Sequence, residues 1–158
     1  VAKHWPVASI KDIGSFLFPV WDEPAGHVFG RTYTLDEIED GQLRTLGDPR
    51  IHAAIVCAAT SCPSLARAPY AVATVDAQLD SVFAAFVAAT GKGFRLDRAA
   101  NSIHLSSIFK WFAVDFEKQG GPLAVIARHL GDADRAWLQA NGAKATLEYM
   151  DYDWRVNG

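Results

Sequence analysis

The sequence predicts an α+β domain, a small mixed, partly antiparallel sheet packed by several helices. Three observations predict it. Apolar residues recur at helical spacing in separate segments, over 35–46, 75–87 and 108–116. Between them stand short runs of strand length, two of them arranged as a hairpin. No internal repeat or low-complexity stretch suggests a solenoid or an array.

Taken in order, Ser9 caps a short helical turn after Pro6, and "FPVWDEPAGHVFG" reads as a loop anchored by Trp21 that leads into a strand near His27 to Tyr33. Thr34 and Glu37 form a capping box for a helix whose Leu35, Ile38, Leu43 and Leu46 mark one face. Gly47, Asp48 and Pro49 stop that helix. Ile51 to Val56 is a continuous apolar run, read as a central strand. Thr74 caps a helix carrying Val75, Leu79, Val82, Phe83, Phe86 and Val87, which ends at Gly91. Phe94–Leu96 and Ser102–Leu105 read as a hairpin. Ser106 or Ser107 caps one helix through Phe116, two short helices follow at Leu123–Leu130 and Ala133–Gln139, and Ala145, Leu147 and Tyr149 alternate like a last strand.

Half of the 158 residues are apolar, enough for one core, so residues 1–158 read as a single domain. Fifteen basic against eighteen acidic residues, without a long run of one sign, give no footprint for nucleic acid. The longest apolar run, Val82 to Ala89, is far short of the roughly 20 residues that cross a bilayer, so a soluble domain without a membrane span is expected. The chain has neither an initiator Met nor a cleavable leader, and reads as a mature form or a fragment. Two cysteines five apart make no disulfide framework.

Chemistry concentrates in "IHAAIVCAATSCPSL". In a strand, His52 and Cys57 would point to opposite faces, which argues against a zinc site with Cys62, and no cofactor is expected. Cys57 then reads as a small buried hydrophobe. Cys62 precedes Pro63, which favours the first position of a helix, so Cys62 would sit at an N-cap where the dipole stabilises a thiolate. A cysteine nucleophile also needs a base and an orienting group. His52 is the nearest histidine, and the loop 57–62 must double back for the two to meet. Glu39 lies at the edge of its helix's apolar face and is the candidate acid; it reads equally as a solvated glutamate paired with Arg44 or Arg50. Asp115 and Trp111 read equally as a helix-surface charge and core packing.

The stretches "TLDEIEDGQLR", "DPRIHAAIVCAATSCPSL", "SSIFKWFAVDF" and "YDWRVN" together resemble the domain-of-unknown-function family numbered 547, found in bacterial proteins and at the C-terminus of plant leucine-zipper proteins. The resemblance runs from Pro6 to Asn157. The family pattern falls on Glu39, Arg44, Asp48, Arg50, His52, Cys57, Cys62, Ser106, Trp111, Asp115, Tyr152, Asp153, Trp154 and Asn157. Asp40 stands where the family has a histidine, and the chain begins just after an upstream helix that the family carries. The resemblance implies a periplasmic or secreted setting and supplies no reaction.

Its Glu, His and Cys set is similar in residue type to papain-like or transglutaminase-like thiol enzymes. The leading expectation is a thiol hydrolase or acyltransferase acting on an amide, a peptide or a thiol-bearing acyl compound. Cys62 is its nucleophile, His52 its base and Glu39 the group that orients the imidazole. The alternative is a non-catalytic module for a peptide or a small thiol such as glutathione. In it Arg44, Arg50 and Asp48 form buried ion pairs, and Trp111 and Asp115 belong to the binding set. Self-association through Trp5 or Trp137 is a third expectation, since oligomeric state is not written in the sequence.

Overall fold

A computed structural model describes residues 4–15 and 19–157. The architecture is α+β, with two small sheets, one antiparallel and one mixed. Ser9 closes a capping box on a short turn at Ile10–Asp12, as its sequence predicts. The loop after Pro19 leads not into one strand at 27–33 but into a hairpin of β1 (Pro24–Val28) and β2 (Arg31–Thr34). Phe29 and Gly30 form its turn with φ of 49° and 79°. Positive φ at both central positions is the requirement of a two-residue turn whose twist matches the strands, and the glycine meets it without strain.

The Thr34–Glu37 capping box is present and opens α1 (Leu35–Ile38), which widens into a π turn at Glu39–Leu43 and tightens to a 3-10 turn at Arg44–Leu46. Gly47 ends it in the left-handed conformation. The expected strand at Ile51–Val56 is not there. Pro49–Ala53 is a 3-10 turn, started by Asp48, whose carboxylate accepts the Arg50 amide N–H at 3.0 Å, with Pro49 at the first position. A short apolar run has no periodicity to separate strand from buried helix, and the Asp-Pro start decides it.

Helix α2 (Val75–Ala88) begins after Thr74, whose hydroxyl donates to Gln78 Oε1 at 3.0 Å rather than capping the helix as expected, while the hairpin of β3 (Phe94–Asp97) and β4 (Ser102–Leu105) follows the sequence reading closely. The single helix expected from Ser106 breaks at Phe112 into α3 (Ser107–Trp111) and α4 (Ala113–Glu117). After α5 (Pro122–Ala127) and α6 (Asp132–Asn141), β5 (Thr146–Tyr149) joins β4 in parallel, giving the sheet order β3-β4-β5. Phe83 and Phe86 of α2, Ile103 and Leu105 of β4, Phe109, Phe116 and Ile126 form the core. Burying an aromatic or branched side chain of this kind contributes about 1.5–3 kcal/mol each.

The last residues act as a stitch. Ser9 bridges Arg155, Ala59 bridges Val156, and the Thr60 amide donates to the Arg155 carbonyl at 2.8 Å. The segment after Cys57 is thereby tied to the C-terminal tail, and residues 63–66 form no helix. Cys62 is therefore not an N-cap. The Cys62 carbonyl, which would accept the first bond of such a helix, accepts instead from Lys92 Nζ at 2.8 Å.

Candidate functional site

A cavity of about 260 Å³ opens between the start of α1, the Pro49–Ala53 turn, the cysteine loop, α3 and the tail. The π turn presents Glu39, and the 3-10 turn after it presents Arg44. Such turns re-aim side chains within a helix, and they recur at functional sites. His52 comes from the Pro49–Ala53 turn, Cys57 and Cys62 from the loop, Trp111 from α3 and Phe112 from the α3–α4 break, Tyr152 and Trp154 from the tail.

His52 is the buried centre of this arrangement, with 2% of its side chain exposed. Its ring stacks on Phe112 at 4.0 Å between centroids, 18° from parallel. Nε2 lies 2.7 Å from Asp115 Oδ2, and Nδ1 lies 3.9 Å from Glu39 Oε1. Asp115 also accepts two bonds from Arg44, Nε at 2.7 Å and Nη2 at 3.0 Å. That bidentate guanidinium is the main cause holding the Asp115 carboxyl below the usual carboxylate range. An ionised Asp115 fixes the proton of neutral His52 on Nε2, which leaves Nδ1 as the basic nitrogen, turned toward Glu39. The group that orients the imidazole is thus Asp115 rather than Glu39. Burial pushes Glu39 upward, with neighbouring Asp40 adding to it, so Glu39 holds its proton more readily than an exposed glutamate.

The two thiols meet at the other side of the cavity. The Cys57 amide N–H donates to Cys62 Sγ at 2.9 Å, and Cys57 Sγ stands 3.2 Å from the Tyr152 hydroxyl. Cys57 is half-buried and Cys62 is 2% exposed. The pKa of Cys57 is pushed downward because Cys62 and then the Tyr152 O–H favour its thiolate against the opposing effect of burial. Cys62 moves upward, chiefly because its proton is held by Cys57 and then because it is buried; the Cys57 amide opposes this without outweighing it. No hydrogen bond joins His52 to either sulfur among the described residues.

Six of the seven residues singled out in the sequence therefore gather here: Cys62, His52, Glu39, Arg44, Trp111 and Asp115. Arg50 does not. It lies on the far side of its turn, bound to Asp48, Asp76 and Asp80 at 2.6–2.7 Å, where it ties α2 to the turn. Arg50 pairs with Asp48 as the binding alternative expected, while Arg44 pairs with Asp115 and Asp40, and these pairs are partly exposed rather than buried. Strand parity would have set Cys57 apart from His52. The 3-10 turn removes that parity, and both line the cavity. Trp111, Tyr152 and Trp154 form one aromatic wall with centroids 4.6–5.7 Å apart, continued by Trp21 at 6.5 Å from Trp154. Cys57, Tyr152 and Trp154 were missed as site residues; for Cys57 the signal available was the four residues between the cysteines, enough chain to bring both thiols to one place.

Acid should loosen this centre. Burial lowers the pKa of His52 from 6.5, so below pH 6.5 the unfolded chain takes up a proton that the folded ring refuses. Stability is then expected to fall with pH from about 6.5 until the folded ring also protonates, by at most about 1.4 kcal/mol per pH unit for one proton. The depressed Asp115 carboxyl adds a further loss of the same sign at lower pH. Urea unfolding between pH 7.5 and 5 measures it. A His52→Gln variant with the same acid-side slope would refute the assignment to His52.

Among the described residues no group of His, Cys, Asp and Glu is arranged to hold a metal ion, and no helix is long and apolar enough to cross a membrane. Residues 15–87 match the model of a family described as "Protein of unknown function, DUF547". The matched span holds Glu39, Arg44, His52 and both cysteines, while Asp115, Tyr152 and Trp154 lie beyond it. No curated protein and no solved structure matches the chain.

Proposed function

We propose that this cleft carries out thiol-dependent acyl transfer, as a hydrolase or acyltransferase acting on an amide, peptide or thioester, with Cys57 rather than Cys62 as nucleophile. The observation that carries the reading is the convergence, in one cavity, of a thiol 3.2 Å from the Tyr152 hydroxyl with a histidine held 2.7 Å from the Asp115 carboxylate. In this reading the Cys57 thiolate attacks the carbonyl carbon, and the leaving amine or thiolate takes its proton from Glu39, whose raised pKa suits a donor. His52 Nδ1 then accepts a proton from the water or acceptor that cleaves the thioester. The aromatic wall of Trp111, Tyr152 and Trp154 offers a flat apolar face for the acyl group. The second reading, a binding cleft for a peptide or small thiol, is favoured by one observation: both His52 nitrogens face carboxylates and neither faces a sulfur.

The two readings separate in one experiment. The protein is incubated with p-nitrophenyl acetate and the acetylated peptide is mapped by mass spectrometry, alongside iodoacetamide alkylation across pH. The expected result is an acetyl thioester on Cys57 and an alkylation rate whose midpoint lies below an ordinary thiol's, with both lost in Cys57→Ser. Replacing Tyr152 by Phe removes one donor to the thiolate and should move that midpoint upward. An alkylation midpoint at an ordinary thiol's value of about 8.5, with no acetyl adduct, leaves the binding reading.

A further inference from the structure

In acyl transfer through Cys57 the second thiol makes no bond to substrate, yet Cys62 is the more buried of the two and lies directly against the nucleophile's backbone. Its Sγ accepts the Cys57 amide N–H at 2.9 Å, and only 2% of the residue is exposed, so a dissolved reagent meets Cys57 first. Both thiols line the cavity, but Cys57 is the more exposed of the two and has the Tyr152 hydroxyl 3.2 Å from its sulfur. An accessible thiol backed by a buried one is the order of parts that thiol–disulfide exchange requires.

We propose that Cys62 is a resolving thiol, and that the cleft reacts with small disulfides to close a Cys57–Cys62 bond. This rests on the reading of Cys57 as the reactive thiol and adds a second reaction to it. The Cys57 thiolate attacks one sulfur of a disulfide RSSR, forming a mixed disulfide on Cys57 and releasing RS⁻. The Cys62 sulfur then attacks the Cys57 sulfur of that mixed disulfide. The Cys57–Cys62 bond forms, the second RS⁻ leaves, and the Cys62 proton passes to a released thiolate. The protein thiols lose two electrons and the small disulfide gains them. The Cys57 amide stabilises negative charge on Cys62 as that attack begins. The loop between them is only Ala58, Ala59, Thr60 and Ser61, and the Cys57 amide already reaches the Cys62 sulfur at 2.9 Å while that loop stays tied to the tail. The chain is then switched off as an acyltransferase and restored by any reducing thiol.

The test treats the reduced full chain with oxidised glutathione and measures intact mass and linked peptides without reductant. The wild type should lose two hydrogen masses, with the 57–62 link found in the digest. Cys62→Ser should instead hold one glutathionyl group on Cys57. Wild type that keeps the glutathionyl group as Cys62→Ser does overturns the resolving role, and it does so whether or not the variant folds. A Cys57 that alkylates and acetylates as expected yet never forms a disulfide also overturns it and leaves the acyl-transfer reading standing. A Cys57 inert to alkylator, ester and disulfide alike removes both.

Discussion

Asp115→Ala is expected to be among the most damaging single changes to this protein. The carboxylate it removes accepts three bonds, two from Arg44 and one from His52. Arg44 keeps Asp40 at 2.8 Å. His52 keeps nothing at Nε2, and its side chain is 2% exposed, so its N–H is left without water or partner. Charge-assisted bonds contribute about 1.5–3 kcal/mol, and an orphaned buried donor costs about 1–3. A loss of about 3 kcal/mol is expected, which for a chain of this size lowers Tm by about 10 °C. Acyl transfer should fall by about a hundredfold or more, because the ring loses both its orientation and its fixed tautomer. Asp115→Asn separates the two effects. It keeps an acceptor for His52 while giving up the charge against Arg44, so it should recover part of the stability and less of the rate. Thermal melts and acetylation rates of both variants decide it, and an Asp115→Ala protein that melts within two degrees of wild type would sink the account of the buried centre.

Gly93→Ala should cost as much for a different reason. Gly93 is buried where α2 turns toward β3; its amide donates to the Ala89 carbonyl at 2.7 Å and its own carbonyl accepts the Ser106 amide at 2.8 Å. A Cβ built there falls inside the Phe86 carbonyl oxygen and close to the Val87 backbone. The obstacle is helix backbone, which cannot rotate aside. Either the end of α2 moves off β3 or the Ser106 bond that starts α3 is broken. Overpacking of this kind costs about 1–3 kcal/mol, and the upper end is expected because both neighbours are fixed. Gly91→Ala is the control, since a Cβ there meets nothing within 4 Å. Equal Tm values for the two alanine variants would refute the close approach as the reason for the glycine.

Where the sequence reading succeeded, the information was local. The Thr34–Glu37 and Ser9–Asp12 boxes are made within four residues, and each is present in the structure. The stripe of Val82, Phe83, Phe86 and Val87 needs only a 3.6-residue period, and three of those four are fully buried. The β3–β4 hairpin likewise closes over a short turn. Where it failed, a short segment was decided by something distant or by a detail of capping. Ile51–Val56 has the composition of a strand, but an Asp-Pro start made its first part a 3-10 turn. "SCPSL" has the pattern of a helix start, but Lys92 takes the Cys62 carbonyl that would accept its first bond.

The site divides along the same line. The sequence by itself determined the α+β class, the helix starts at Thr34 and Ser106 and which polar residue types were present to do chemistry, because capping and periodicity act over a few bonds. Only the tertiary structure decided which of those residues meet. His52 and Asp115 are separated by 63 residues, and Cys57 and Tyr152 by 95. Their pairing follows from where core packing sets α3 and α4 and where the tail is stitched. The proposed exchange of Cys62 for Cys57 as the reactive thiol has in part the same origin: a thiol's acidity is set by the donors folded around it, and beside the nearby Cys62 the Tyr152 hydroxyl reaches Cys57 from 95 residues away.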